Sequence, residues 1–240
     1  MKDSDREKVS SAIPSGLCIA KGVIPIPYFG MITSAEACTI SINPSKREFL
    51  DNHETILQGN RRRLPSRKDF QVMDSERLSA ADAKAYLQGC GSYFQRNPYR
   101  AWFDKYEKFI NVFGYSYYAG TAVHIDIVQW ATNPLWSGLQ QKVRIALIEK
   151  DSIYFRKQLD RRFKIIFLNG QTVMNYVAKL IEIKDRVDNR IQFRGRNIMT
   201  MYGKYNEGTI VGWSPYLQSQ SVGGYENIKR LARLLIRHQI

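Results

Sequence analysis

With 240 residues, 44% of them apolar, the chain has ample material for a buried core, and none of its apolar runs approaches the roughly 20 residues that span a bilayer. Its 36 basic and 22 acidic residues give a formal net charge of +14, more than solubility alone calls for, so a polyanion is expected as partner, nucleic acid foremost. Cys18, Cys38 and Cys90 are odd in number and widely spaced, with no C-x-x-C pair, so reduced thiols are expected, with no disulfide framework, metal cluster or cofactor.

The N-terminus, Met1-Lys2-Asp3-Ser4-Asp5-Arg6-Glu7-Lys8, lacks the apolar stretch of a secretory leader, and a cytoplasmic location is expected. Without repeats or a long linker, residues 1–240 read as a single domain, most simply a monomer, with 1–20 as an N-terminal extension. Four short β-rich runs, 37–42, 122–128, 163–168 and 209–212, read as buried strands. Residues 80–88, 98–113, 139–150, 171–184 and 225–238 read as helices. In the last, Ile228, Leu231, Ala232, Leu235 and Ile236 form the apolar stripe. Strands alternating with helices predict an α/β fold, a three-layer α/β/α sandwich around a mainly parallel sheet, with ligands taken at the carboxyl ends of the strands.

Those strand ends carry the candidate chemistry. After the first stands Ile42-Asn43-Pro44-Ser45, where Pro44 keeps Asn43 out of helical geometry, although Asn-Pro-Ser is equally an ordinary capping turn. In the second strand the two-residue period puts His124 and Asp126 on one face, as a site or as a satisfied buried pair. The third ends in Asn169-Gly170, a tight turn or an anion site. The fourth leads into Trp213-Ser214-Pro215-Tyr216-Leu217-Gln218-Ser219, whose hydroxyls, amides and aromatics suit phosphate contact and base stacking. Arg61-Arg62-Arg63 with Arg67-Lys68, and Lys157, Arg161, Arg162 and Lys164, are basic clusters dense enough to meet neighbouring phosphates. Tyr93, Phe94, Tyr99, Trp102, Phe103 and Tyr106 fall at helical spacing, which more often marks core than a stacking surface.

In this order the segments resemble the uracil-DNA glycosylase superfamily. Ser41-Ile42-Asn43-Pro44-Ser45 is similar to its Gly-Ile-Asn-Pro-Gly motif, and Trp213 to Ser219 to its Pro-Ser loop that enters the minor groove. The histidine that opens that loop in part of the family is absent here. The resemblance runs from about Gly22 to His238. It implies a base-excision repair hydrolase that flips a base out of single- or double-stranded DNA and cleaves its N-glycosidic bond. Asn43 would position the water, with Ile42, Pro44, Ser45, His124 and Asp126 around the base. Arg62, Arg63, Arg67, Ser214, Pro215, Tyr216, Gln218 and Ser219 would meet DNA. Asp126 stands where family members carry a base-reading Asn. A carboxylate only accepts hydrogen bonds, which favours ring N–H or amino donors, as in deaminated purines, over the O4 of uracil. The rival reading is a nucleic-acid-binding protein of the same fold without catalysis. An unrelated α/β hydrolase finds no support in a G-x-S-x-G, Walker or dinucleotide motif.

Overall fold

A computed structural model describes residues 2–238; Met1, Gln239 and Ile240 of the expected 1–240 domain lie outside the described residues. The elements run α1 (Asp3–Ser10), β1 (Ala37–Ser41), α2 (Ala80–Gly91), α3 (Arg100–Ile110), β2 (Ala122–Asp126), α4 (Gln141–Leu159) and β3 (Ile165–Asn169). They continue with α5 (Gln171–Leu180), β4 (Lys184–Phe193), β5 (Arg196–Tyr205), β6 (Gly208–Trp213) and α6 (Tyr225–Arg237). The class is α/β with a central, mostly parallel sheet of six strands in the order β2-β1-β3-β6-β5-β4. Two compact units result. One comprises Ile42–Tyr99, Ile125–Gln158 and the described residues up to Ile32. The other comprises Thr33–Ser41, Arg100–His124 and the described residues from Leu159 on.

The second unit holds the sheet, with β2 belonging to it as far as His124. Strands β1 and β3 are buried along their whole length, as parallel strands covered on both faces must be; β3 opens with four apolar residues in a row, while β1 carries Thr39 and Ser41 buried among its apolar residues. Cys38 stands opposite Ile166, and Ile166 opposite Ile210, in parallel register. Because β1, β3 and β6 run the same way, their carboxyl ends share one edge, where Asn169 lies opposite Trp213. Trp213, expected in the following loop, is the last residue of β6, fully buried and stacked on Phe109 at 4.2 Å. Helix α6 buries Ile228, Leu231, Ala232 and Leu235 as its period predicts, while Ile236 is exposed.

The hairpin β4–β5 has no counterpart among the expected strands, and helix α5, expected to reach residue 184, stops at Leu180 to make way for it. Its turn is Arg194-Gly195, both at positive φ (52° and 72°), the geometry a two-residue hairpin loop requires. Strand β4 is the sheet edge, and its residues from Lys184 to Arg190 are exposed, so no apolar alternation betrays it.

In the first unit, the segment expected as an extension forms α1, packed on α2. Its buried Asp5 accepts from the Tyr154 hydroxyl at 2.9 Å and from Gln158 Nε2 at 2.7 Å, and Lys8 pairs with the fully buried Asp151 at 2.5 Å. Helix α4 therefore runs nine residues beyond the expected end at 150, because Asp151, Tyr154 and Gln158 face α1 instead of solvent.

Gly208 opens β6 where a Cβ would run into the Phe163 carbonyl oxygen, a backbone atom that cannot swing away. Gly208→Ala is expected to destabilise the chain by about 1–3 kcal/mol, the range for overpacking a tight core, measured by urea unfolding.

Candidate functional site

Within the first unit, the backbone just past β1 lies alongside the backbone just past β2. Val128 N donates to Ile42 O at 2.8 Å. On this support the Asn43 amide donates through Nδ2 to Pro44 O (3.2 Å), Trp130 O (3.3 Å) and Thr132 Oγ1 (3.2 Å). Two of those partners are carbonyls, which only accept, so the NH₂ end must face them and Oδ1 is the outward end of the amide. Among the described residues no donor reaches Oδ1, and Asn43 is half-buried, so water reaches it. Ile42 and Pro44 are buried beside it, and Ser45 Oγ accepts from Arg47 N at 3.1 Å to cap the next turn.

That turn carries Glu48, to which the sequence analysis assigns no role. It is 2% exposed and accepts from the Tyr93 hydroxyl at 2.6 Å. Burial pushes its pKa up to about 7; the Tyr93 hydrogen bond and the charge of Arg63 oppose the rise, and the charge of Asp126 adds to it. Asp126 is itself buried, 2% exposed. The first unit thus holds two enclosed carboxyl groups, and the charge of Asp126 adds to the raised proton affinity of Glu48. A buried Tyr at helical spacing, five residues before Pro98, was the only sequence signal near Glu48, and it reads as core.

The basic residues divide. Arg63 lies over the Tyr99 ring at 4.7 Å, and Arg62 pairs with Asp69 at 2.6 Å; both are half-buried at the rim of this unit. Arg67, expected at DNA, is 1% exposed. Its guanidinium donates to Val23 O (3.2 Å), Met73 O (3.0 Å), Glu76 O (2.9 Å) and Ser11 O. It is a structural cross-link that satisfies four chain carbonyls, and it has no face left for a phosphate.

In the second unit His124 belongs to the core. Its Nδ1 shares a hydrogen bond of 2.8 Å with Thr39 Oγ1, which in turn meets Tyr117 OH at 2.5 Å, and its ring packs on Phe103 and Tyr106. The sequence placed it beside Asp126 by strand period, but these contacts make it a packing residue rather than a substrate contact. Tyr93, Phe94, Phe103 and Tyr106 are buried as well, in line with the core reading of their spacing, while Tyr99 and Trp102 of the same series are half-buried.

The loop after β6 is held rigidly. Asn169, at the end of β3 and fully buried, accepts from Leu217 N at 2.9 Å and donates to Gln218 Oε1 at 3.0 Å. Ser214 Oγ accepts from Met199 N at 3.0 Å, Ser219 Oγ donates to Tyr216 O at 2.7 Å, and the Ser214–Pro215 peptide is cis. Tyr216 packs edge-on to Trp102 and over Gly170, where a Cβ would lie 2.7 Å from its ring. Gly170, at φ +99°, therefore serves this packing, and Asn169 positions a loop; neither forms an anion site of its own.

Among the described residues no group of three or more His, Cys, Asp or Glu could hold a metal ion, and no helix is long and apolar enough to cross a membrane. No protein-family model matches the chain, and no curated protein matches it.

The Glu48 carboxyl makes stability depend on pH in a stated direction. In the unfolded chain it ionises near its ordinary 4.5 and in the folded chain near 7, so between those values the folded state binds more protons. Stability therefore falls as pH rises from 4.5 to 7 and levels off above, by about 3 kcal/mol at one pKa unit per 1.4 kcal/mol. Urea unfolding of Glu48→Gln at pH 5 and pH 8 is expected to lose that decline, and an unchanged decline would show that Glu48 titrates normally.

Proposed function

We propose that this chain is a DNA glycosylase-like hydrolase of the uracil-DNA glycosylase kind, acting on a flipped, deaminated base. The observation that carries the reading is the Asn43 amide, locked through Nδ2 by Trp130 O and Thr132 Oγ1 with Oδ1 left to hold a water. An amide oxygen is too weak a base to generate hydroxide, so its contribution is orientation: the water is held in line with the C1′–N bond. As that bond breaks, its electron pair passes to the leaving base and positive charge develops on the sugar. The water oxygen bonds to C1′ and its proton ends on the base. A rigid amide suits this task, since a misplacement of 1 Å costs about a hundredfold in rate.

Asp126 is the residue proposed to discriminate bases, accepting from a ring N–H that hypoxanthine and xanthine present. Burial raises the Glu48 pKa to about 7, which keeps that group largely uncharged in mildly acid solution. Supporting a nucleic-acid partner are the net charge of +14, Arg62 and Arg63 at the surface of the first unit, and the rigid 214–219 loop, whose backbone is fixed before any ligand arrives. DNA binding by a single chain in the cytoplasm is part of the same proposal.

Base release from duplex and single-stranded oligonucleotides carrying uracil, hypoxanthine or xanthine, read by alkaline strand scission, tests the reading. Release is expected to fall about a hundredfold or more in Asn43→Ala. Salt-sensitive DNA binding with no release from any substrate would instead identify a non-catalytic binding protein. For Asp126, the Asn variant is expected to shift the ratio of uracil to hypoxanthine release upward, by about tenfold for one exchanged hydrogen bond. Equal or better excision of uracil by the unaltered chain would overturn the assignment of Asp126.

A further inference from the structure

A separate cleft of about 290 Å³ lies within the first unit, along α1 and α4, at the lower end of the volumes that small-molecule sites take, about 300–1,000 Å³. Arg77, Lys150 and Lys157 line it, and among the described residues none of the three is paired with a carboxylate. A fourth cation, Lys8, also lines it but is committed to Asp151 at 2.5 Å, and burial holds its pKa below the usual lysine value. Trp130 completes the lining. It is fully buried, Lys8 Nζ stands 5.7 Å from its ring, and its indole N–H has no hydrogen-bond partner among the described residues. A buried donor left unmade costs about 1–3 kcal/mol, so the site favours whatever brings it an acceptor. Glu7 is the one acidic side chain of the lining besides Asp151, and Ser4 adds a hydroxyl donor, while the Ser11 hydroxyl donates to Lys8 O at 2.7 Å.

We infer that this cleft is a phosphate-binding site, in which Lys150, Lys157 and Arg77 neutralise the anion and the Trp130 N–H donates to one of its oxygens. The chemistry of the lining asks for an anion with several acceptor oxygens and more than one negative charge. Three cations facing Glu7 as the one acid not already paired exceed what a single carboxylate needs, and the ammonium, guanidinium, indole and hydroxyl donors match a tetrahedral oxyanion. A phosphoryl group of this kind comes either free in solution or at the end of a nucleic acid strand. The cleft shares Trp130 with the Asn43 site, through the backbone carbonyl that accepts from Asn43 Nδ2 at 3.3 Å, but the inference does not rest on the glycosylase reading.

The probes are inorganic pyrophosphate and a short oligodeoxynucleotide with and without a 5′-phosphate, titrated at constant ionic strength against chloride and followed by tryptophan emission and by the thermal shift of the full chain. Saturable pyrophosphate binding that chloride does not reproduce is expected. In Lys150→Ala/Lys157→Ala, both exposed and harmless to the core, its affinity is expected to fall about tenfold while the melting temperature without ligand is unchanged. Trp130→Phe keeps an aromatic side chain but loses the N–H and the fused pyrrole ring; it is expected to weaken binding and to abolish the emission change, and thermal unfolding without ligand measures the cost of the smaller ring at this buried position. Competition by the 5′-phosphorylated strand alone identifies a strand end as the source, and pyrophosphate binding without such competition identifies a free phosphate. Either result supports the site. Binding that equals the chloride response, or that survives the double lysine variant unchanged, overturns it.

Discussion

The hydrogen bond from Val128 N to Ile42 O continues the contact between neighbouring strands β1 and β2 beyond the last residue of each, and the candidate chemistry depends on that continuation. Without it the chain would have no reason to bring Trp130 O and Thr132 Oγ1 to the Asn43 amide, residues 87 and 89 positions away. Pro44 prevents Asn43 from entering a helix, and the backbone after β2 then fixes which end of the amide points outward. A side chain with two rotatable bonds is reduced to one orientation by three acceptors. That is preorganisation in its simplest form, with the ordering entropy already met on folding.

The same chain uses buried charge in two different ways. Arg67 is enclosed but has a carbonyl for each direction of its guanidinium, and the Lys8–Asp151 pair is stabilised further by Gln129 N on the second Asp151 oxygen at 2.9 Å. These groups are satisfied, so they hold segments together at fixed geometry, and removing one partner would strand the other in an apolar setting. Glu48 is different. Among the described residues its side-chain donor is the Tyr93 hydroxyl, too weak to offset burial, and it lies in the field of another carboxylate, so its charge changes near neutrality. Groups of this second kind collect where chemistry occurs, because a proton held near pH 7 can be exchanged at little cost.

At the other candidate segment a buried amide ties the loop to the sheet. Asn169 both donates to and accepts from the loop after β6, a role that needs both ends of an amide and that neither Asp nor Leu could fill. Gly170 then lets the Tyr216 ring close over the turn. The loop is thereby shaped by the sheet edge from which it springs, and its polar residues are engaged with one another. Ser214, Gln218 and Ser219 each use side-chain hydrogen-bonding capacity internally, so a phosphate would meet this loop chiefly through its shape and the capacity that remains.

By itself the sequence determined the class of fold, the four parallel-type runs, the apolar stripe of α6 and the stations of Asn43, Asp126 and the 214–219 loop, because each is written locally, in periodicity, in proline and glycine, or in a run too apolar to leave in water. It did not reveal the β4–β5 hairpin, whose edge strand faces solvent with Lys, Asp and Arg and so carries no alternation. Nor could it tell a phosphate-facing arginine from a structural one: Arg62, Arg63 and Arg67 look alike in a row, and only the carbonyls of residues 11, 23, 73 and 76, gathered by the fold, decide that Arg67 is internal. Glu48 was hidden for the same reason. Its burial, its partner Tyr93 and its neighbour Asp126 come from distant parts of the chain, and the energy that shifts a proton affinity is set by distance and desolvation in space, which no local pattern records.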